Sequence, residues 1–143
     1  MKHKTLGLCA VAGGVVIAAA LIFTACGTPD VPGADAAECH YQMLKTGTEC
    51  AAYDSAFVKN RPEFKIETRQ MLAALGPLKS YKLVSHADLD AQESVIDGKY
   101  GVLNYECEYE NDRTQETLLF VVRKGTGRAT LLNVAVNPSR LRL

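Results

Sequence analysis

The stretch that decides the fold is residues 100–110, which read YGVLNYECEYE. Apolar and polar side chains alternate along it, and a period of two residues is typical of a β-strand with one buried face. It therefore predicts a strand of an antiparallel sheet, with an apolar face against a core and an acidic face toward solvent. The two faces would carry Leu103, Tyr105, Cys107 and Tyr109 on one side and Asn104, Glu106, Glu108 and Glu110 on the other.

Apolar segments on both sides of this strand predict the rest of the sheet. Leu78–Val84 alternates loosely, and Glu116–Lys124 and Thr130–Val136 are rich in branched apolar residues. Short segments with turn residues separate these strands, namely Asp97-Gly98, Asn111–Arg113 and Gly125–Gly127. Since strands joined by short turns pair antiparallel, we expect a meander of about four strands.

Before residue 77 the apolar residues recur at helical spacing. Asp35 and Glu38 fit a capping box that would start a first helix. Thr48 would cap a short second helix, and Pro62 would lie in the first turn of a third. Helices followed by a meander predict a single α+β domain over residues 35–143, with N-terminal short helices packed on a curved antiparallel sheet of about four strands.

Residues 1–25 have the pattern of an export signal. Lys2 and Lys4 provide a basic start, and no charged residue occurs between Thr5 and Ala25. A run of this length would also be long enough to span a bilayer as an uncleaved anchor. Its end, FTACG over residues 23–27, resembles a bacterial lipobox. That resemblance implies a signal peptide over residues 1–25 and lipidation of Cys26.

A lipidated N-terminus would place the domain at the surface of a membrane. Several acyl chains bury many methylene groups, each contributing about 0.8 kcal/mol, so the anchoring is durable. Residues 26–34 would be the lipidated cysteine and a Pro/Gly tether, of which residues 27–33 span about 25 Å when extended. We therefore expect a bacterial envelope protein, lipid-anchored to a membrane, with its domain on the exported side.

Composition excludes other classes of protein. The 143 residues include 16 basic and 16 acidic side chains, and 48% are apolar, which is too many for a disordered chain. Residues 1–25 hold two lysines and no acid, so the remaining 118 residues carry 14 basic and 16 acidic groups, a net charge of −2. Such a domain has no positive excess for a phosphate backbone, and a nucleic-acid partner is not expected.

Two segments are similar to a bacterial family of domains of unknown function found in secreted and lipid-anchored proteins. They are Leu75–Leu83 and Asp97–Tyr105, the second continuing through Tyr109–Asn111 to Glu116-Thr117. The order of helices and strands also resembles the cone-shaped nuclear transport factor two-like, or cystatin-like, fold. This resemblance implies a pocket between helices and sheet that Tyr41, Tyr53, Tyr105 and Tyr109 could line, although we prefer ordinary core packing for these tyrosines. The family has no assigned catalytic residues.

Three cysteines, Cys39, Cys50 and Cys107, remain after Cys26. One disulfide and one free thiol is the simplest arrangement in an exported domain. The pair Cys39–Cys50 closes the shortest loop, while Cys107 is an alternative partner for either. Three buried thiols are the remaining alternative.

Two further groups of residues are candidates for chemistry. His40 follows Cys39, but neighbours on a helix point about 100° apart, so a thiol–imidazole site is not expected. His86, Asp88 and Asp90 have the spacing of metal ligands, yet a solvated loop is the favoured interpretation. The sequence thus predicts no catalytic residue, metal site or cofactor.

The acidic row Glu106, Glu108 and Glu110 would place three carboxylates about 7 Å apart on one sheet face. These carboxylates could bind a basic partner protein or a calcium ion. The favoured interpretation is a solvated face on which basic side chains pair with the row, namely Arg113, Arg123 and Lys124.

Together these features predict a non-catalytic envelope lipoprotein that binds an envelope protein or has a structural role. A small-molecule pocket module and an immunity or inhibitor lipoprotein are the alternatives.

Overall fold

One four-stranded antiparallel sheet, in the order β1-β2-β3-β4, forms the larger part of the fold. The structure is a computed structural model and describes residues 31–90 and 95–138. The predicted signal peptide, Cys26 and most of the tether lie outside the described residues. The strands are β1 (Leu78–Leu89), β2 (Gly98–Tyr109), β3 (Arg113–Arg123) and β4 (Ala129–Pro138).

Three helices precede the sheet and confirm the predicted α+β fold. They are α1 (Ala34–Thr46), α2 (Ser55–Asn60) and α3 (Phe64–Leu75). Among the described residues, none of these helices combines the length and apolar composition needed to cross a membrane.

The apolar face of β2 lies in the core, as its alternation predicts. Leu103, Tyr105, Cys107 and Tyr109 are each at most 7% exposed, and Tyr41 of α1 packs over them. The Tyr41 ring lies 4.8 Å from that of Tyr105 and stacks at 4.6 Å on Tyr81 of β1. Ring contacts of this kind fix α1 on the inner face of the sheet.

The first strand is longer than its sequence pattern predicts. The alternating pattern ends at Val84, but pairing with β2 continues to Leu89, which lies opposite Tyr100. Main-chain hydrogen bonding needs no apolar side chains, so a polar, exposed stretch completes the ladder. The predicted loop containing His86 and Asp88 is therefore part of a strand.

The two outer strands of the described sheet, β1 and β4, each have one edge without a neighbouring strand, and these two edges differ in structure. β1 has a neighbour on one side only, and its pairing with β2 shifts register between Leu78 and Ser80 and again between Leu83 and Ser85. On β4, Leu131 forms a short parallel bridge with Tyr53.

All three predicted helix starts are wrong. Pro62 precedes α3 instead of lying in its first turn, because the helix begins at Phe64 after the cap Glu63. Gly33, not Asp35, caps α1, with φ of 83° and no side-chain cap, because Glu38 accepts hydrogen bonds from Tyr81 and Gln42 instead. The second helix begins at Ser55 rather than after Thr48. Its cap is Asp54, whose side chain accepts the Ala56 N–H at 2.9 Å.

The segment before Asp54 is extended because its main chain is hydrogen-bonded to β4. The Asp54 N–H donates to the Leu131 carbonyl at 2.8 Å, and the Leu131 N–H donates to the Ala52 carbonyl at 2.7 Å. These bonds replace the helical bonds that Thr48 was expected to start.

Candidate functional site

An open cleft lies among the helices and is called here the helical cleft. Its volume is about 770 Å³, within the range of small-molecule sites. Its walls come from the end of α1, the following loop, α2 and α3. Its lining includes Met43, Glu49, Cys50, Tyr53, Phe57, Val58, Arg61, Phe64, Lys65 and Arg69.

Three rings, Tyr53, Phe57 and Phe64, form the aromatic wall of the cleft. Tyr53 and Phe57 stack with centroids 5.5 Å apart, and Phe64 lies edge-on at 4.8 Å from Phe57 and 5.3 Å from Tyr53. Each ring therefore contacts both others. Mutual contacts restrict ring rotation, so the wall is ordered before any ligand arrives.

Arg61 holds the junction of α2 and α3 against β4. Its guanidinium lies 5.5 Å from the Phe57 ring centroid and 5.3 Å from that of Phe64. It donates to the Asn133 side chain at 3.1 Å and to the Val134 carbonyl at 3.2 Å. It also forms an ion pair with Glu67, which neutralises its charge.

Two further cations, Lys65 and Arg69, form the basic rim of the cleft. They are exposed and lie one helical turn apart on α3, so they share a face. Within the described part of the chain, neither forms an ion pair. Among the described residues, the one acidic side chain that lines the cleft is Glu49, on the loop after α1.

A disulfide fixes the loop that forms one side of the cleft. Cys39 of α1 is bonded to Cys50, with their Cα atoms 5.5 Å apart, which confirms the shortest predicted pairing. Cys107, the alternative partner, is a free thiol that is 2% exposed in the core. Burial raises the pKa of Cys107 to about 12, so it is a protonated and inert thiol at neutral pH.

His40 lies beneath the aromatic wall. Its Nδ1 is 2.6 Å from the Tyr53 hydroxyl, and among the described residues its Nε2 has no hydrogen-bond partner. Burial lowers the pKa of His40 to about 4, so the imidazole is neutral at physiological pH. The neighbouring Cys39 sulfur is bound in the disulfide and is not a thiol.

Glu116 is a buried carboxylate that the sequence analysis missed. It is 1% exposed and accepts hydrogen bonds from three hydroxyls: Tyr41 at 3.1 Å, Tyr109 at 2.8 Å and Thr114 at 2.6 Å. Burial and the nearby Glu116 charge raise the pKa of both tyrosines above its usual value. The hydroxyls therefore stay protonated and act as donors to Glu116.

The pattern of β3 contains the signal for this inward carboxylate. Leu118 and Phe120 point into the core, and counting back by two places Glu116 on the same face. The charge of Glu116, taken alone, favours an exposed position at the start of a strand. For that reason the sequence analysis did not place Glu116 in the core.

The four tyrosines considered for a pocket separate into two groups. Tyr41, Tyr105 and Tyr109 are buried between helices and sheet, where they fill the core as preferred. Tyr53 lines the helical cleft instead.

A second ionic contact ties the α2 cap to the sheet. Asp54 is 2% exposed and accepts two hydrogen bonds from Arg123, at 2.7 and 2.9 Å, and one from Thr130 at 2.7 Å. The Arg123 bonds hold the pKa of Asp54 below its usual range.

The acidic row is only partly as expected. Glu106 and Glu108 are exposed on the outer sheet face, whereas Glu110 follows the end of β2. Glu108 forms an ion pair with Arg113 at 3.6 Å. The other two predicted partners pair elsewhere, Arg123 with Asp54 and Lys124 with Asp97.

The described residues contain no group of three or more histidine, cysteine or acidic side chains arranged to hold a metal ion. His86 and Asp88 are exposed on β1, and Asp90 follows the strand.

Comparison of the chain with protein-family models, with curated proteins and with solved structures found no match.

Proposed function

We propose that this chain is a lipid-anchored protein of the bacterial envelope whose exported domain binds a small molecule in the helical cleft. The observation that carries the proposal is the cleft itself, with its pre-ordered aromatic wall beside a basic rim. Binding sites for small molecules are typically apolar concavities with a few placed polar groups.

Two features support an exported, anchored location. The lipobox-like segment over residues 23–27 supports lipidation of Cys26. The Cys39–Cys50 disulfide supports export, because such bonds persist in oxidising compartments.

The binding test compares one valine inside the cleft with one isoleucine outside it, chosen because their side chains are similarly exposed. Val58 lines the cleft and is 58% exposed, while Ile66 on α3 is 51% exposed and is not a lining residue. Val58→Trp places an indole in the cleft mouth, and Ile66→Trp adds the same ring elsewhere. Fragment binding to the full chain in lipid nanodiscs is followed by ligand-observed NMR.

We expect fragments that bind the wild type to lose binding in Val58→Trp and to keep it in Ile66→Trp. If every fragment that binds does so equally to both variants, or if none binds the wild type, the cleft is not a binding site and the proposal fails.

The anchor has its own test. Wild-type protein should fractionate with membranes, and an inhibitor of the lipoprotein signal peptidase should cause an unprocessed precursor to accumulate. Cys26→Ser should abolish lipid labelling. Wild-type protein that takes up no labelled fatty acid would contradict the anchor.

Protein binding through the outer sheet face is a second candidate function. It is favoured by the exposure of Glu106 and Glu108 on the face opposite the helices. Chemical crosslinking to a basic partner should be lost after charge reversal, Glu106→Lys/Glu108→Lys, and retained in Lys65→Glu/Arg69→Glu, which alters the helical side instead. Equal crosslinking in both double variants would contradict it.

A further inference from the structure

The helical cleft has an excess of basic side chains, whereas the domain as a whole has a small excess of acidic ones. Residues after 25 carry 14 basic and 16 acidic groups, yet among the described residues the cleft is lined by three basic side chains and one acidic one. Arg61 is already paired with Glu67 and held over two rings of the aromatic wall. The basic rim, Lys65 and Arg69, is the cationic surface left for a ligand.

One ring of the aromatic wall, Phe64, and both residues of the basic rim lie on α3. Phe64, Lys65 and Arg69 all line the cleft, and Arg69 lies one turn after Lys65. A single ligand can therefore touch the wall with an apolar part and the rim with a charged part. A small inorganic anion would leave the wall exposed to water, and an apolar molecule would leave the rim unpaired.

We propose that the ligand of the helical cleft is an amphiphilic carboxylate, with an acyl or aromatic body on the aromatic wall and its carboxylate at the basic rim. This inference rests on the proposed function and names the ligand class. Charge complementarity selects the anion over a cation of the same shape, because Lys65 and Arg69 would repel the cation.

The test uses the full chain in nanodiscs of zwitterionic lipid. An octanoate bearing a photoreactive diazirine is crosslinked to the protein, and the modified residues are mapped by mass spectrometry. Three competitors have an eight-carbon chain, counting the carboxylate carbon of octanoate, and differ in the head group: octanoate, octyltrimethylammonium and octyl glucoside. Empty nanodiscs control for partition into lipid.

We expect crosslinks at cleft residues such as Met43 and Val58, with octanoate competing about tenfold better than the other two compounds. Lys65→Gln/Arg69→Gln should weaken octanoate competition about tenfold. The matched control Lys79→Gln/Lys82→Gln removes two exposed charges from β1 and should leave competition unchanged.

The outcomes separate this inference from the proposal beneath it. Cleft crosslinks that all three competitors reduce equally would overturn the carboxylate and leave the cleft as a binding site. The carboxylate is overturned in the same way if both double variants weaken competition alike. Absence of cleft crosslinks would overturn the carboxylate, and if in addition no fragment binds the wild type, both proposals are overturned.

Discussion

One carboxylate, Glu116, connects three parts of the core. Its hydroxyl partners come from α1 and β2 and from Thr114 on its own strand. A buried charge is costly unless its hydrogen bonds are satisfied, and here three hydroxyls satisfy it. The resulting cluster explains how a charged residue is accommodated at a core position of β3.

Replacing Glu116 tests this account. We expect Glu116→Gln to lower the free energy of unfolding by about 2 kcal/mol, because the amide places donor hydrogens against hydroxyls that must also donate. Pulse proteolysis of the full chain in urea measures the change. The exposed Glu106→Gln should alter stability by less than about 0.5 kcal/mol. Equal effects of the two substitutions would show that the cluster is not stabilising.

His40 makes stability depend on pH. Burial lowers its pKa from 6.5 to about 4, so between these values the unfolded chain binds a proton that the folded chain does not. The contribution of neutral His40 is complete above pH 6.5 and is lost as pH falls toward 4, by up to about 3 kcal/mol.

The measurement compares urea midpoints between pH 7.5 and pH 5 for three proteins. His40→Gln should flatten the loss of stability seen in the wild type. His86→Gln changes an exposed imidazole and should keep the wild-type slope. An unchanged slope in His40→Gln would refute the assignment.

At the scale of elements, α1 lies between two left-handed glycines. Gly33 precedes it with φ of 83°, and Gly47 follows it with φ of 76°. The two positions share a backbone conformation but not their surroundings. A Cβ at Gly33 would lie 2.6 Å from Phe120, whereas nothing lies within 4 Å of one at Gly47.

This contrast predicts unequal costs for one substitution. Gly47→Ala should destabilise the fold by about 1 kcal/mol, the cost of a side chain in the left-handed region. Gly33→Ala adds the collision with Phe120 and should cost about 3 kcal/mol. Pulse proteolysis in urea measures both. Similar losses in the two variants would mean that the chain shifts freely around residue 33.

The disulfide couples α1 to the cleft loop. Removing it in Cys39→Ala/Cys50→Ala should cost about 3 kcal/mol, because the open chain regains the entropy of a short loop. A reductant should destabilise the wild type by the same amount and leave the double variant unchanged. Sensitivity of the double variant to reductant would point to another disulfide.

The sequence predicted elements well where one periodic pattern operated alone. The buried face of β2 followed from alternation. Loop length pointed to the Cys39–Cys50 pairing but left Cys107 open as an alternative partner. The start of α2 could not be predicted in this way. It depends on main-chain hydrogen bonds between Ala52–Asp54 and Leu131, and these segments are nearly 80 residues apart. Local signals such as Thr48 contain no information about such a partner.

At the scale of the whole molecule, the helical cleft was the least predictable feature. Its lining combines α1, a disulfide-bound loop and two more helices, and each aromatic residue alone suggests a core position. Arg61 shows the difficulty most clearly, since its contacts reach Asn133 and Val134 on β4. The resemblance to cone-shaped folds stays a prediction, as does the lipobox.

The register shifts of the edge strand β1 bear on aggregation between copies of the protein. Exposed strand edges recruit strands from other molecules, and a protein tethered in a membrane would meet its own copies at high local concentration. Two register shifts break the row of main-chain groups on β1, and Lys79 and Lys82 bring like charges together when two such edges approach. If the chain is lipid-anchored as proposed, neighbouring copies would collide repeatedly on a crowded membrane without their sheets merging into aggregates.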